Sequence, residues 1–256
     1  MKSNYHTHTS RCGHAVGSDE QYILAAIEAG LTHLGMSDHI PFKHFSNKSD
    51  RMDYSELNDY LLSMRLLKEK YKDQIHLSIG FEVEYYPEFQ AYYDELKKEV
   101  DYFICGQHYK VINEYGYDYY CSDEDLKVYA DQVCAAMRSK QFLFLAHPDY
   151  FMLGRHDWNQ ASMNAAHQIA QCAQETGVPL EINLRGMKYG IKRYGELESY
   201  AYPFMPFWEI VSQYDVKTVV SMDAHSPMNL FEFYKFDAFY EDFKKLNLLP
   251  VEPYTL

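Results

Sequence analysis

Asn4-Tyr5-His6-Thr7-His8-Thr9-Ser10-Arg11-Cys12-Gly13-His14 places three imidazoles within nine residues of a 256-residue chain. On an extended strand alternate side chains share a face, so His6 and His8 point the same way and can grip one cation between them. A bend at Gly13 would return the ring of His14 to the same strand end. A lone His-x-His is a weak metal signature. What gives this one weight is where the other polar residues fall.

Outward from this stretch, helix and strand signals alternate. Ser18-Asp19-Glu20-Gln21 has the form of a capping box and opens an amphipathic run that Gly30 closes. A second strand over 32–38 delivers Ser37-Asp38-His39. Asp53-Tyr54-Ser55-Glu56 is another capping box, before a helix to residue 71. A third, apolar strand over 75–83 carries Gly80-Phe81-Glu82 near its end, and a helix over 88–100 follows. Strand four, 102–105, runs into Gly106-Gln107-His108-Tyr109, and Ser122 caps a helix to residue 140. Strand five, 142–145, ends in Ala146-His147-Pro148-Asp149, where proline forbids further pairing. After a helix to residue 176, strand six, 179–183, leads into a loop holding Arg185, Lys188, Lys192 and Arg193. A helix over 207–214, a seventh strand over 217–222 ending in Asp223-Ala224-His225, and a helix over 231–246 complete the chain.

Seven strand-helix units imply a parallel α/β sheet closed into a distorted (β/α)7 TIM-like barrel, one domain over residues 1–256 with no linker or repeat. His6, His8, His39, Glu82, His108, His147, Asp223 and His225 sit at the C-terminal ends of different strands, the end at which such barrels build their sites. His33 and His76 begin their strands, at the opposite end, where a structural role is expected. With His14 the set holds seven histidines and two carboxylates. One ion takes three or four protein ligands, so this set exceeds one ion, suffices for two, and suffices for three if Glu82 or Asp223 bridges. Nitrogen and oxygen donors without thiolates suit Zn, Mn or Fe rather than Ca. Glu84, two residues beyond Glu82, shares its face but lies farther out, a supporting or surface residue.

Composition narrows the partners. Thirty-seven acidic against 24 basic side chains give a net charge of −13. The basic residues are scattered, which opposes a nucleic-acid track and favours a small or cationic partner. No apolar run of membrane-spanning length and no export signal are seen. Five cysteines, Cys12, Cys105, Cys121, Cys134 and Cys172, form no Cys-x-x-Cys pair and are expected to be reduced, in the cytoplasm.

His6-Thr7-His8, Cys12-Gly13-His14-Ala15, Ser37-Asp38-His39, Gly80-Phe81-Glu82, Gly106-Gln107-His108-Tyr109, Ala146-His147-Pro148-Asp149 and Ser221-Met222-Asp223-Ala224-His225 resemble, in order, the motifs of the polymerase and histidinol phosphatase (PHP) superfamily. The Cys-Gly-His-Ala turn and the length look like its stand-alone phosphatases of the histidine pathway. The resemblance implies a seven-stranded distorted barrel with a trinuclear metal site. It also implies hydrolysis of a small phosphomonoester, L-histidinol phosphate, to L-histidinol and phosphate by a metal-bridging hydroxide. Many family members read Asn-Thr-Ala-Gly-Leu-Arg after strand six, whereas this chain reads Asn183-Leu184-Arg185-Gly186-Met187-Lys188. Arg155, Arg193 and Lys188 are therefore all candidates for the substrate phosphate. Asp38 and Asp149, beside ligands in sequence, are candidates to orient imidazoles or to bind a cationic part of the substrate. Two rival readings are a PHP-type phosphoesterase or nuclease acting on nucleotides and a metal-binding accessory domain without turnover. The intact ligand set opposes the second, and the acidic charge opposes polymeric nucleic acid.

Overall fold

The computed structural model describes residues 1–112 and 114–255. They fall into two units, each drawn from discontinuous stretches: Met1–Ile104 with Ser221–Lys235 and Glu252–Leu256, and Cys105–Val220 with Phe236–Val251.

The first unit alternates β1 (Ser3–Asn4), α1 (Asp19–Glu28), β2 (His33–His39), α2 (Leu57–Lys70), β3 (His76–Val83), α3 (Gln90–Leu96) and β4 (Tyr102–Cys105), whose last residue belongs to the second unit. The strands form one sheet in the order β1-β2-β3-β4. β2 and β3 run parallel with His33 opposite His76 at one end and His39 opposite Glu82 at the other. That register confirms the sequence assignment of the two ends. Beyond β1, Thr7 forms a parallel bridge with Ala224. Both expected capping boxes form: Ser18 and Gln21 close one, and in the other the Glu56 side chain accepts from the Asp53 N–H.

β2 and β3 are buried almost throughout, as parallel strands covered on both faces are. The Tyr102 side chain lies across Gly35 and Gly80, where added Cβ atoms would meet its hydroxyl oxygen at 2.3 Å and its ring at 2.5 Å, and the hydroxyl donates to Tyr5 O at 3.0 Å. Two glycines thus make a floor for one aromatic ring. On the same strands Tyr60 donates its hydroxyl to Gly80 O at 2.9 Å.

In the second unit α4 (Asp123–Arg138) packs on α5 (Gln160–Thr176). Ser122 and Asp125 cap α4, and Asp123, Glu124 and Asp125 in its first turn favour the positive end of the helix dipole. β5 (Leu180–Asn183), the antiparallel hairpin β6 (Ile191–Tyr194) and β7 (Leu197–Tyr200), α6 (Met205–Val211), β8 (Thr218–Ser221) and α7 (Tyr240–Lys245) follow, β8 pairing with β5. Trp208 is fully buried and meets Phe243 edge-on at 5.4 Å.

Four expected elements differ. The first strand, expected to carry His6 and His8, is paired as β1 only over Ser3–Asn4. The strand at 142–145 is reduced to parallel bridges through Leu145 to Cys105 and Leu180, because the left-handed His147 (φ 29°) and Pro148 end the extended run. The loop after β5 holds the β6–β7 hairpin, closed by Gly195 at φ 66°. The helix expected over 231–246 is a 3-10 helix, Pro227–Ala238, followed by α7. All five cysteines are free and buried. No helix among the described residues is long and apolar enough to cross a membrane.

Gly80→Ala should destabilise the fold by about 1–3 kcal/mol through the clash with Tyr102. Gly30→Ala, at φ 77° with no atom within 4 Å of the added Cβ, should be milder, about 1 kcal/mol. Denaturant unfolding of the two variants checks the order.

Candidate metal centre

The first unit brings seven of the nine expected ligands to one end of its sheet. Asn4, fully buried, ties the strand carrying His6 and His8 to the segment carrying Asp223 and His225. Its amide donates to His6 O and Thr7 Oγ1, each at 2.8 Å, and its carbonyl accepts from Met222 N–H at 2.8 Å. Main-chain bonds from His8 N–H to Ala224 O (2.8 Å) and Ala224 N–H to His6 O (3.0 Å) complete the tie. The paired ladder stops at Asn4, and Thr7 N–H donates instead to Ser37 Oγ at 3.1 Å. His6 and His8 nevertheless stay together, ring centroids 5.2 Å apart. Gly13 makes the return turn at φ 83°, and a Cβ there would lie 1.7 Å from Lys48 O, so no other residue fits. The turn brings His14 Nε2 to 2.9 Å from His225 Nε2.

The donor atoms are spaced as ligands. His6 Nε2 lies 3.4 Å from Glu82 Oε1 and 3.6 Å from Asp223 Oδ1; His8 Nε2 lies 3.4 Å from Glu82 Oε2 and 3.2 Å from Asp223 Oδ1; His39 Nδ1 lies 3.0 Å from Glu82 Oε2. Two donors each about 2.1 Å from a common ion are about 3.4 Å apart in a tetrahedral site and about 3.0 Å in an octahedral one. Neither ring nitrogen of the fully buried His8 makes a hydrogen bond of normal geometry. The residues therefore fit divalent metal ions, with Glu82 and Asp223 each lying close to more than one imidazole.

Electrostatics agree. Burial pushes the His8 pKa down, but Asp223 and Asp38 outweigh it and hold it well above its ordinary value. Asp223 is penalised by burial yet held well below the usual carboxylate range by His6, His225 and His8. Partial burial and the neighbouring His39 and His8 lower His14 to about 4, leaving it neutral for ligation at neutral pH. Asp223 also has a left-handed backbone, φ 46°, a strain of about 1–3 kcal/mol of the kind that collects at functional sites.

Asp38 accepts from Thr9 N–H (3.2 Å), the Thr9 hydroxyl and His39 N–H (2.8 Å), and faces His8 Nδ1 at 3.5 Å, so it fixes both the turn and the imidazole. Glu84 is neither at the surface nor among the imidazoles: it is buried in a bidentate pair with fully buried Arg51, 2.8 and 2.9 Å. Alternation put Glu84 on the right face, but no local signal announced its partner from the 40–52 loop. His33 stacks on Tyr254 at 3.8 Å and neighbours His76 at 5.1 Å, at the far end of β2 and β3.

The second unit holds the other two. His108 and His147 have ring centroids 5.0 Å apart, both beside Tyr150. Asp149 orients no imidazole: it accepts from Phe204 N–H (2.7 Å) and Trp208 Nε1–H (3.0 Å), and burial raises it to about 7. Glu181, missed in the sequence reading because it resembled an ordinary strand residue, is fully buried and accepts the His147 N–H at 2.8 Å. Of the phosphate candidates, Arg155 is buried and donates to Cys121 O and Asp157, with Asp123 also at 2.8 Å. Arg193 is exposed and donates to Gly195 O, and exposed Lys188 lies over the Tyr189 ring.

Fold and donor set define an α/β protein whose strand ends are furnished for divalent metal ions. The chain belongs to the PHP domain family, whose model matches residues 4–185. A Deinococcus radiodurans protein named "Probable histidinol-phosphatase" is 25% identical over 233 residues, 87% of this chain and 85% of that one. A Schizosaccharomyces pombe protein of the same name is 29% identical over 127 residues, 43% of this chain and 39% of that one. The fold is also that of the histidinol phosphate phosphatase of Lactococcus lactis subsp. lactis, solved with zinc, L-histidinol and phosphate: TM-score 0.72 at 16% identity, covering 98% of this chain and 95% of that one.

Glu82, in β3, and Glu84, two residues on and just past the strand's end, should separate cleanly. Glu84→Ala strands the buried Arg51 charge and should cost about 3–5 kcal/mol of stability. Glu82→Gln should lower bound metal while leaving the metal-free protein much less affected. Urea unfolding after chelation, paired with elemental analysis of the untreated proteins, checks both.

Proposed function

We propose that this protein is a metal-dependent phosphomonoesterase that hydrolyses L-histidinol phosphate to L-histidinol and phosphate, a step of histidine biosynthesis. The observation that carries the reading is the buried histidine–carboxylate cluster at ligand spacing, in a chain aligned over 87% of its length with a relative named for this activity. His6, His8, His14, His39, Glu82, Asp223 and His225 in the first unit, and His108 and His147 in the second, are the proposed ligands of three divalent ions, Zn, Mn or Fe. When bound, such ions lower the pKa of water to near neutrality and neutralise charge on phosphoryl oxygens.

The protein's own groups then orient and bind. Asp38 holds the His8 ring from its Nδ1 side, leaving Nε2 for the centre. Arg193 and Lys188 lie exposed on the surface, whereas Arg155 is buried and held by Asp123 and Asp157. Arg193→Ala and Lys188→Ala should therefore act on KM without changing stability, while Arg155→Ala should also lower stability. The net charge of −13 suits an ammonium-bearing substrate and opposes a nucleic-acid polyanion. Both units are built of discontinuous stretches, so neither can be excised as a continuous piece, and one 1–256 domain is part of the proposal.

Phosphate release by the metal-replete protein should be measured over histidinol phosphate, nucleoside monophosphates, sugar phosphates and short oligonucleotides. Histidinol phosphate should show the highest kcat/KM; a higher value for a nucleotide or oligonucleotide would replace this reading by a nucleotide phosphoesterase. His8→Ala and Asp223→Ala should abolish turnover with loss of metal, while His33→Ala and His76→Ala should retain it. Equal loss in all four folded variants would sink the site assignment.

A further inference from the structure

Among the described residues, four non-glycine residues have left-handed backbone: Lys140, His147, Asp223 and Asn247. Lys140 and Asn247 follow α4 and α7, where a left-handed residue closes a helix. His147 closes no helix. It precedes Pro148, which has no N–H. The His147 carbonyl accepts from Tyr150 N–H at 2.9 Å within the turn and from the Tyr129 hydroxyl at 3.4 Å, but its N–H reaches outside the turn, to Glu181 Oε2 at 2.8 Å.

Glu181 is wholly buried on β5, and the same oxygen accepts from Asn183 Nδ2 at 2.8 Å, which fixes the acceptor in turn. The bridge between Leu145 and Leu180, with Glu181 N–H donating to Leu145 O at 2.9 Å, sets the carboxylate level with the turn. A buried carboxylate inside a parallel strand is costly unless its hydrogen bonds are indispensable. The other left-handed ligand candidate has the same support: the residue before Asp223 donates its N–H to the buried side chain of Asn4.

We propose that Glu181 is a positioning residue of the metal centre: it holds the left-handed backbone of His147 and thereby presents that imidazole for metal binding. This rests on the reading of His147 as a ligand. Glu181 acts as a hydrogen-bond acceptor toward a main-chain N–H, so shape and acceptor position matter more than charge.

The test is metal binding by the full chain, measured as ions per chain by elemental analysis and as zinc affinity by competition with a chelating dye. Glu181→Ala should bind one ion fewer than the wild type or hold it about 10- to 100-fold more weakly. Glu181→Asp, which keeps the charge but withdraws the acceptor, should behave the same way and serves if the alanine variant does not fold. Glu181→Gln, which keeps an acceptor oxygen in place, should restore binding. His147→Ala is the reference. If His147→Ala loses an ion but Glu181→Ala and Glu181→Asp bind as the wild type, the positioning role is wrong and the ligand reading stands. Failure of Glu181→Gln to bind better than Glu181→Asp overturns it too. If His147→Ala itself keeps every ion at full affinity, the ligand reading fails and takes this proposal with it.

Discussion

Glu82 and Asp223 are withdrawn from water, with imidazole nitrogens 3.0–3.6 Å away. A buried carboxylate without compensating positive charge costs several kcal/mol, so this cluster holds only when protons or cations sit among its nitrogens and oxygens. Protons serve at low pH: the raised pKa of His8 contributes stability that is fully present below its unfolded value and lost as pH rises through the folded one. Above that range the imidazoles are neutral and a divalent ion is the natural replacement, since it binds the deprotonated donors. The requirement for shared positive charge therefore ties stability, metal affinity and pH together.

Holding such a cluster demands backbone precision, and the fold supplies it from rigid elements. The level register of His39 with Glu82, the Asn4 tie between the first strand and Met222, and the glycine floor beneath Tyr102 all belong to the first unit's sheet. Apart from His39 and Glu82, none of these residues is itself a proposed ligand. They stop the strand ends from sliding, and a slide of one residue would turn every ligand to the opposite face. The left-handed Asp223 can persist only because its neighbours on both sides are so bonded.

Much of this was legible in the sequence because it depends on local rules. Parallel strands read as apolar runs, capping boxes marked α1 and the start of the segment leading into α2, Ser122 marked α4, and the two ends of β2 and β3 were read in the right order. What escaped depends on partners distant in sequence or on subtler periods. The hairpin had its signal in Tyr194-Gly195-Glu196-Leu197, a two-residue glycine turn that the surrounding basic residues masked. The 3-10 helix had its own: Leu230, Phe233, Phe236 and Phe239 recur every three residues, suiting its three-residue turn and not the α-helix assumed. The Arg51–Glu84 pair and the Glu181 support join residues more than 30 apart, which no single-sequence pattern marks.

The division between rigid and loop-borne groups also bears on how substrate choice and chemistry are separated. The proposed ligands sit at strand ends or in turns pinned by buried side chains, whereas Lys188 and Arg193 sit on the exposed segment that begins after β5 and includes the hairpin. Residues on such a segment can change without disturbing buried donors, because loop replacements seldom propagate into a packed sheet. The phosphoester chemistry is thus assigned to parts that tolerate little change and recognition of the particular ester to parts that tolerate much. On the proposed reading, substrate choice would fall to residues 184–200 rather than to the histidines.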